Sequence, residues 1–390
     1  MNHTPTYQGT ALLSYGFRPF FFCTALFAGL AIPVWALILS GATDIEFLYP
    51  SRDWHVHEMV FGFLPCVITG FLLTAIPNWT DRPPLNGYPL MLLLSVWLAG
   101  RFAMGTTWFT PIVVAIIDGA FLIMVAGVVW REIVTAHAWA RLPMGIIISV
   151  YAGANIFFHI QILNQTDADL AARIALALII MLLTLIGGRI VPNFTEDFLD
   201  EHGLSKQPAP FSFVENLSIA LAGIATLSWV LSPQSLTTGI ACIFAGLSNF
   251  ARLVRWQGWL TWPEPLTFIF HIGYAWLAFS LMILGGATLD IGLSAEDALH
   301  ALTTGAVGVM TLAVMTRASL GHTGRPKHAN TPTIVIYLLI NIGALLRIFG
   351  PSLPLPDDLL LNVAAVLWSG AYLLFAIVYG PILFGPSLDE

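Results

Sequence analysis

Five histidines and two carboxylates in this 390-residue chain stand inside apolar runs, where an ionisable side chain is costly and points to function. His55, His57 and Glu58 open one run, His300 opens another, and Asp118 and His159 lie within two more. His55 and His57, two residues apart, do not share a face of a regular helix and meet only if the helix begins between them. Imidazole takes copper and haem iron, and histidine is the commonest metal ligand. With no cysteine beside them, the set argues for copper or haem over structural zinc. The candidate metal ligands are therefore His55, His57, His159, His300 and His271, with Glu58 and Asp118 orienting imidazoles or carrying protons. Each also has a plainer reading: interface anchoring for His55, packing for His57, His159 and His300, and a hydrogen bond between helices for Asp118.

His271 is set apart. It lies six residues past Pro265, toward the opposite side of the membrane, with Tyr274 one turn on. Arg189, Arg317 and His322 fall on that side too. A single buried histidine with arginines nearby fits an axial haem ligand with propionate partners. Its plainer reading is a histidine hydrogen-bonded between helices. No CxxCH motif is present, so any haem is bound non-covalently, as a b-type haem is.

A membrane scaffold must position these groups. Hydrophobic residues make up 57% of the chain and charged residues 9%, against about 25% charged in soluble domains. The mean hydropathy is +0.81. A crossing helix needs about 20 apolar residues. The sequence predicts an all-α integral membrane protein of about twelve such helices, near 19–41, 56–77, 87–104, 111–130, 143–164, 172–190, 212–232, 236–251, 264–286, 298–316, 332–350 and 359–384. The longest loop is expected near 191–211. Eleven Lys and Arg residues fall on the side of the N-terminal segment and four on the other, which places both termini in the cytoplasm. By depth, His57, Glu58, His300, His159, Asp118 and Arg347 then share the outer leaflet. Cys23, Cys66 and Cys242 are far apart inside apolar runs and read as packing residues.

The chain reads as one polytopic domain with an internal repeat. IPNWTDRPP from Ile76, VPNFTEDF from Val191 and LGHTGRP from Leu320 align on Thr80, Thr195 and Thr323. His57 then falls on His300 and Gly62 on Gly305, and the histidine-free member has Ala172. Three units of four helices follow, about 1–140, 141–260 and 261–390, in parallel topology. In a pseudo-threefold bundle His57 and His300 converge near the axis, and His159 completes a three-histidine set. The competing reading is that Pro, Asn and Gly simply end helices alike. No P-loop, dinucleotide fingerprint or nucleophile elbow is present, and the basic residues are too scattered for nucleic acid.

The stretches GFRPFF from Gly16, WHVHEMVFGF from Trp54, GFLLTAIPNWT from Gly70, RIVPNFT from Arg189, HIGYAWLA from His271 and HALTTGAVGVMTLAVMTRASLGHTGRP from His300 resemble the NnrS family. The resemblance implies a bacterial inner-membrane protein containing haem and copper. It also implies a role in nitric-oxide metabolism, as in denitrification, and in protection from nitrosative stress. His57, His271, His300 and His322 lie within its motifs; His159 enters only from its depth. The leading expectation is nitric-oxide binding or reduction at a haem–copper site, with nitric oxide as ligand and an electron donor that the sequence does not name. The alternatives are a transporter of metal, haem or an anion, and an assembly factor for a respiratory complex.

Overall fold

The structure, a computed structural model, describes residues 7–292 and 294–388. Among them every regular element is helical, and twelve helices are long and apolar enough to cross a bilayer. They are α1 (Phe17–Leu39), α2 (Ser51–Thr80), α3 (Gly87–Met104), α4 (Pro111–Thr135), α5 (Trp139–Leu163), α6 (Asp169–Glu201), α7 (Phe213–Leu231), α8 (Leu236–Arg255), α9 (Pro265–Thr288), α10 (Ala295–Gly321), α11 (Thr331–Ser352) and α12 (Leu359–Phe384). The chain is a multi-pass membrane protein, as its apolar runs predict. The three cysteines are free.

Of the boundaries that differ from the sequence expectation, two bear on chemistry. Helix α2 begins at Ser51 rather than near 56, with Asp53 in its first turn, where a carboxylate favours a helix start. His55 and His57 therefore both lie in regular helix and point to different faces. Helix α6 does not stop near 190 but runs on to Glu201, through Pro192. A proline within a helix crowds the carbonyl four residues earlier and leaves it without its usual donor. Here that carbonyl is Gly188, and Arg252 Nη2 donates to it at 3.3 Å. An arginine reaching in from α8 thus keeps α6 continuous where the sequence suggests a loop.

Three helices contain a stretch of π-helix: Glu58–Phe63 in α2, Leu183–Gly187 in α6 and Ala301–Val307 in α10. A π turn breaks the regular hydrogen-bond ladder and is frequent at functional sites. In α2, groups on other helices bond to its carbonyls. The Tyr151 hydroxyl donates to Val60 O, and the Trp97 indole N–H donates to Gly62 O at 2.9 Å. In α6, Arg252 Nη1 donates to Thr184 O at 2.8 Å.

The described residues form two compact units. The first takes the chain up to Ala175, with Ala318–Arg325 and the chain from Ala376; the second takes Leu176–Arg317 and Pro326–Phe375. In the first, α1 packs on α2, and α4 packs on both α3 and α5. Helix α2 is its most enclosed span, with 78% of its apolar window buried against 33% for α1. That is why ionisable groups on α2 are held away from lipid. The GFRPFF motif has its explanation here as well. Buried Arg18 donates to Leu383 O at 3.0 Å, Gly385 O at 2.6 Å and Ser387 Oγ at 2.9 Å, closing the carbonyl end of α12. In the second unit α8 packs on α7 and α9, and α9 lies against the π stretch of α10.

Candidate metal centre

The first unit gathers seven polar side chains from α2, α3, α4, α5 and the loop before α2. His57 ends the regular first turns of α2, and Glu58 begins its π stretch. Asp118 stands about two turns into α4. Asn155 and His159 are one turn apart on α5 and so share a face. His57, Glu58, Asp118, Asn155 and His159 are each no more than 2% exposed.

Asp118 Oδ2 is the hub. It lies 3.2 Å from His57 Nε2 and 3.0 Å from His159 Nε2. Asn155 Nδ2 donates to it at 2.8 Å. Its other oxygen, Oδ1, is held by Arg101 Nη2, while Arg101 Nη1 holds Glu58 Oε1. Glu58 Oε1 also stands 3.1 Å from His57 Nδ1. On the far side, the Tyr49 hydroxyl lies 2.6 Å from His159 Nδ1. Burial, and then the Asp118 carboxylate, push the Tyr49 phenol above its ordinary pKa, so it stays protonated at neutral pH. The result is one hydrogen-bonded chain: Tyr49, His159, Asp118, His57, Glu58, Arg101.

Both ring nitrogens of His57 face oxygen acceptors. Nδ1 faces Glu58, and Nε2 faces Asp118 and, at 3.1 Å, Asn155 Oδ1. With acceptors on both sides, the ring needs a proton on each nitrogen, or a proton on Nδ1 and a metal ion at Nε2. His57, Asp118 and His159 each offer one ligand atom, and the three atoms lie within 4.8 Å of one another. Phe61 and Phe158 wall the site, with ring centroids 5.5 Å and 5.3 Å from that of His57. Gly62 makes room for the arginine: a Cβ there would stand 2.2 Å from Arg101 Nη1.

The other sequence candidates lie elsewhere. His55, one face round from His57, stacks on Trp35 at 4.7 Å between ring centroids. His300 belongs to the second unit, where its Nδ1 lies 2.7 Å from Glu296 O. Arg347 pairs there with Asp297 at 3.4 Å. His271 is also in the second unit and 5% exposed. Its Nε2 lies 2.8 Å from the Thr195 hydroxyl, and its buried Nδ1 has no hydrogen-bond partner among the described residues. A Cβ on Gly258 would come within 2.3 Å of that Nδ1, so the chain covers this side of the ring. Arg317 donates to Thr267, one turn from His271, at 3.3 Å, and its guanidinium lies 3.9 Å from the centre of the Phe194 ring. Arg189 is exposed on α6. His322 belongs to the first unit, where its ring stacks on Tyr15 and meets that of Phe17 at a tilt, and Arg317 belongs to the second.

Three members of the centre escaped the sequence reading. Arg101 looked like a charge at the end of a span. Asn155 carried a usable signal, since it lies four residues before His159. Tyr49 sits in a loop and carried none.

No curated protein matches the chain. The chain matches the family described as NnrS protein over residues 11–387. With nearly its whole length matched, it belongs to the NnrS family.

Proposed function

We propose that this protein is a membrane metalloprotein of nitric-oxide metabolism whose His57–Asp118–His159 centre binds copper. The observation that carries the reading is the convergence of three buried ligand atoms on one point between helices. Metal bonds of about 2.0–2.2 Å at tetrahedral angles set donors roughly 3.3–3.6 Å apart. The His57–Asp118 and His159–Asp118 separations of 3.2 and 3.0 Å are close to that. The donor set of two imidazoles and a carboxylate suits copper, zinc or iron, and copper is what the family resemblance adds. Three protein ligands leave a further coordination position, as in catalytic rather than structural sites.

A copper ion held there supplies a Lewis acid and a one-electron centre within reach of a small diatomic gas. The protein's own groups do the rest in this reading. Phe61 and Phe158 exclude water from His57. Glu58, between His57 and Arg101, holds the His57 ring in place and is the proton carrier nearest the ligand set. Asp118 joins the two imidazoles. Placement in the bacterial inner membrane with both termini cytoplasmic belongs to the same proposal.

Haem is the second cofactor that the family resemblance implies. As packed, neither ring nitrogen of His271 faces open space: Thr195 meets Nε2 and the Gly258 chain covers Nδ1. These residues do not fit an axial haem position in this arrangement, and no step here runs through haem.

The test is infrared and optical spectroscopy of copper-loaded, detergent-purified protein exposed to nitric oxide. Expected is a metal-nitrosyl band that disappears in His57→Ala and His159→Ala. A copper-loaded protein that gives no such band, yet moves copper across liposome membranes, would favour transport instead.

A further inference from the structure

Arg101 carries a consequence for the kind of cation the centre accepts. It is the one cation among the groups that bond to the centre. The ion pairs and hydrogen bonds of His57, Glu58, Asp118, Asn155 and His159 bring in no other charged side chain among the described residues. Arg101 engages both carboxylates at once, Glu58 through Nη1 and Asp118 through Nη2. Its side chain is 8% exposed, so solvent screens it little. Two carboxylates and one guanidinium leave the protein part of the cluster with a single net negative charge when the imidazoles are neutral.

In a membrane interior, net charge on a buried cluster is strongly penalised. A monovalent cation at His57, Asp118 and His159 brings the cluster to neutrality. A divalent ion overshoots by one. We infer that Arg101 is a specificity-determining residue: by cancelling one of the two carboxylates, it makes the centre select monovalent copper over divalent ions such as zinc. The inference rests on the metal-centre reading above and adds to it the charge of the ion. Imidazole and carboxylate donors alone suit zinc as well as copper, so the donor set does not make this choice.

Gly62 leaves space for the guanidinium on the π stretch of α2, and the Trp97 indole holds the Gly62 carbonyl at 2.9 Å. The fork of the guanidinium fits two carboxylates at once, which an ammonium does less well.

The test measures affinities of the full-length purified protein for Cu(I), kept reduced without oxygen, and for Zn(II), each against a competing chelator. In Arg101→Gln the cluster carries two net negative charges, and the Cu(I)-to-Zn(II) affinity ratio is expected to move toward zinc by about tenfold or more. Arg101→Lys keeps the charge, and its ratio is expected to stay within about threefold of wild type. Glu58→Gln removes one negative charge and is expected to move the ratio the other way. It reports on the inference even where Arg101→Gln does not fold. An unchanged ratio in Arg101→Gln, or in Glu58→Gln where the first variant does not fold, overturns the inference and leaves the metal centre standing. Failure of wild-type protein to bind either ion overturns the metal reading, and the inference with it.

Discussion

The Tyr49 hydroxyl lies 2.6 Å from Nδ1 of His159, and on the other side of the same ring Nε2 lies 3.0 Å from Asp118 Oδ2. A residue from a loop thus fixes the orientation of an imidazole on α5. Groups that hold a metal-ligating histidine from behind commonly contribute about 10–100-fold in affinity. Tyr49→Phe is therefore expected to weaken copper binding by roughly that factor without loss of the fold. Competition titration of the purified variant measures it, and wild-type affinity would show that Tyr49 only packs.

Asp118→Asn removes the hub of the cluster while keeping its shape. Arg101 is left with Glu58 alone, and the two imidazoles lose their shared acceptor. Breaking a buried charge pair in this way costs about 3–5 kcal/mol. The expected result is a lower unfolding temperature in detergent together with loss of copper. A variant as stable as wild type would show that Asp118 is not ionised in the folded protein.

Gly62→Ala tests the packing beneath Arg101. The added methyl meets the guanidinium, so either the arginine leaves its carboxylates or the helix shifts. Overpacking of this kind costs about 1–3 kcal/mol. The unfolding temperature is expected to fall and copper affinity to fall with it. Unchanged values for both would show that Arg101 has slack at this point.

How far the centre was legible in the sequence follows from the same residues. His57, Glu58, Asp118 and His159 announced themselves because each is an ionisable group at similar depth in an apolar span. Arg101 did not, because a basic residue at a span end ordinarily serves orientation, and nothing in the sequence aims its side chain inward. The sequence groups His55 with His57, yet helix α2 starts early enough to turn it toward Trp35. The twelve spans were legible from length and apolarity alone. The end of α6 was not, since Pro192 is a stop signal unless a distant donor serves the Gly188 carbonyl, and Arg252 comes from 64 residues away. The repeat remains our proposal. One register supports it: Glu58 and Ala301, where two of the π stretches begin, each stand 22 residues before the aligned Thr80 and Thr323.

Arg252→Met should expose the cost of that arrangement. It removes the donor to Thr184 O and Gly188 O and to the Tyr274 hydroxyl, and each buried acceptor left unsatisfied costs about 1–3 kcal/mol. Faster hydrogen exchange at residues 184–196 of α6 is expected, with copper content unchanged because the cluster lies in the other unit. Wild-type protection there would show that α6 stays continuous through Pro192 without Arg252.

The most direct test of the central claim is copper content per chain in protein purified from copper-replete cells. Wild type is compared with His57→Ala, His159→Ala and His271→Ala. Near-stoichiometric copper in wild type and in His271→Ala, with copper lost from His57→Ala and His159→Ala, is the expected result. Equal copper in all four proteins would contradict a metal centre at His57, Asp118 and His159.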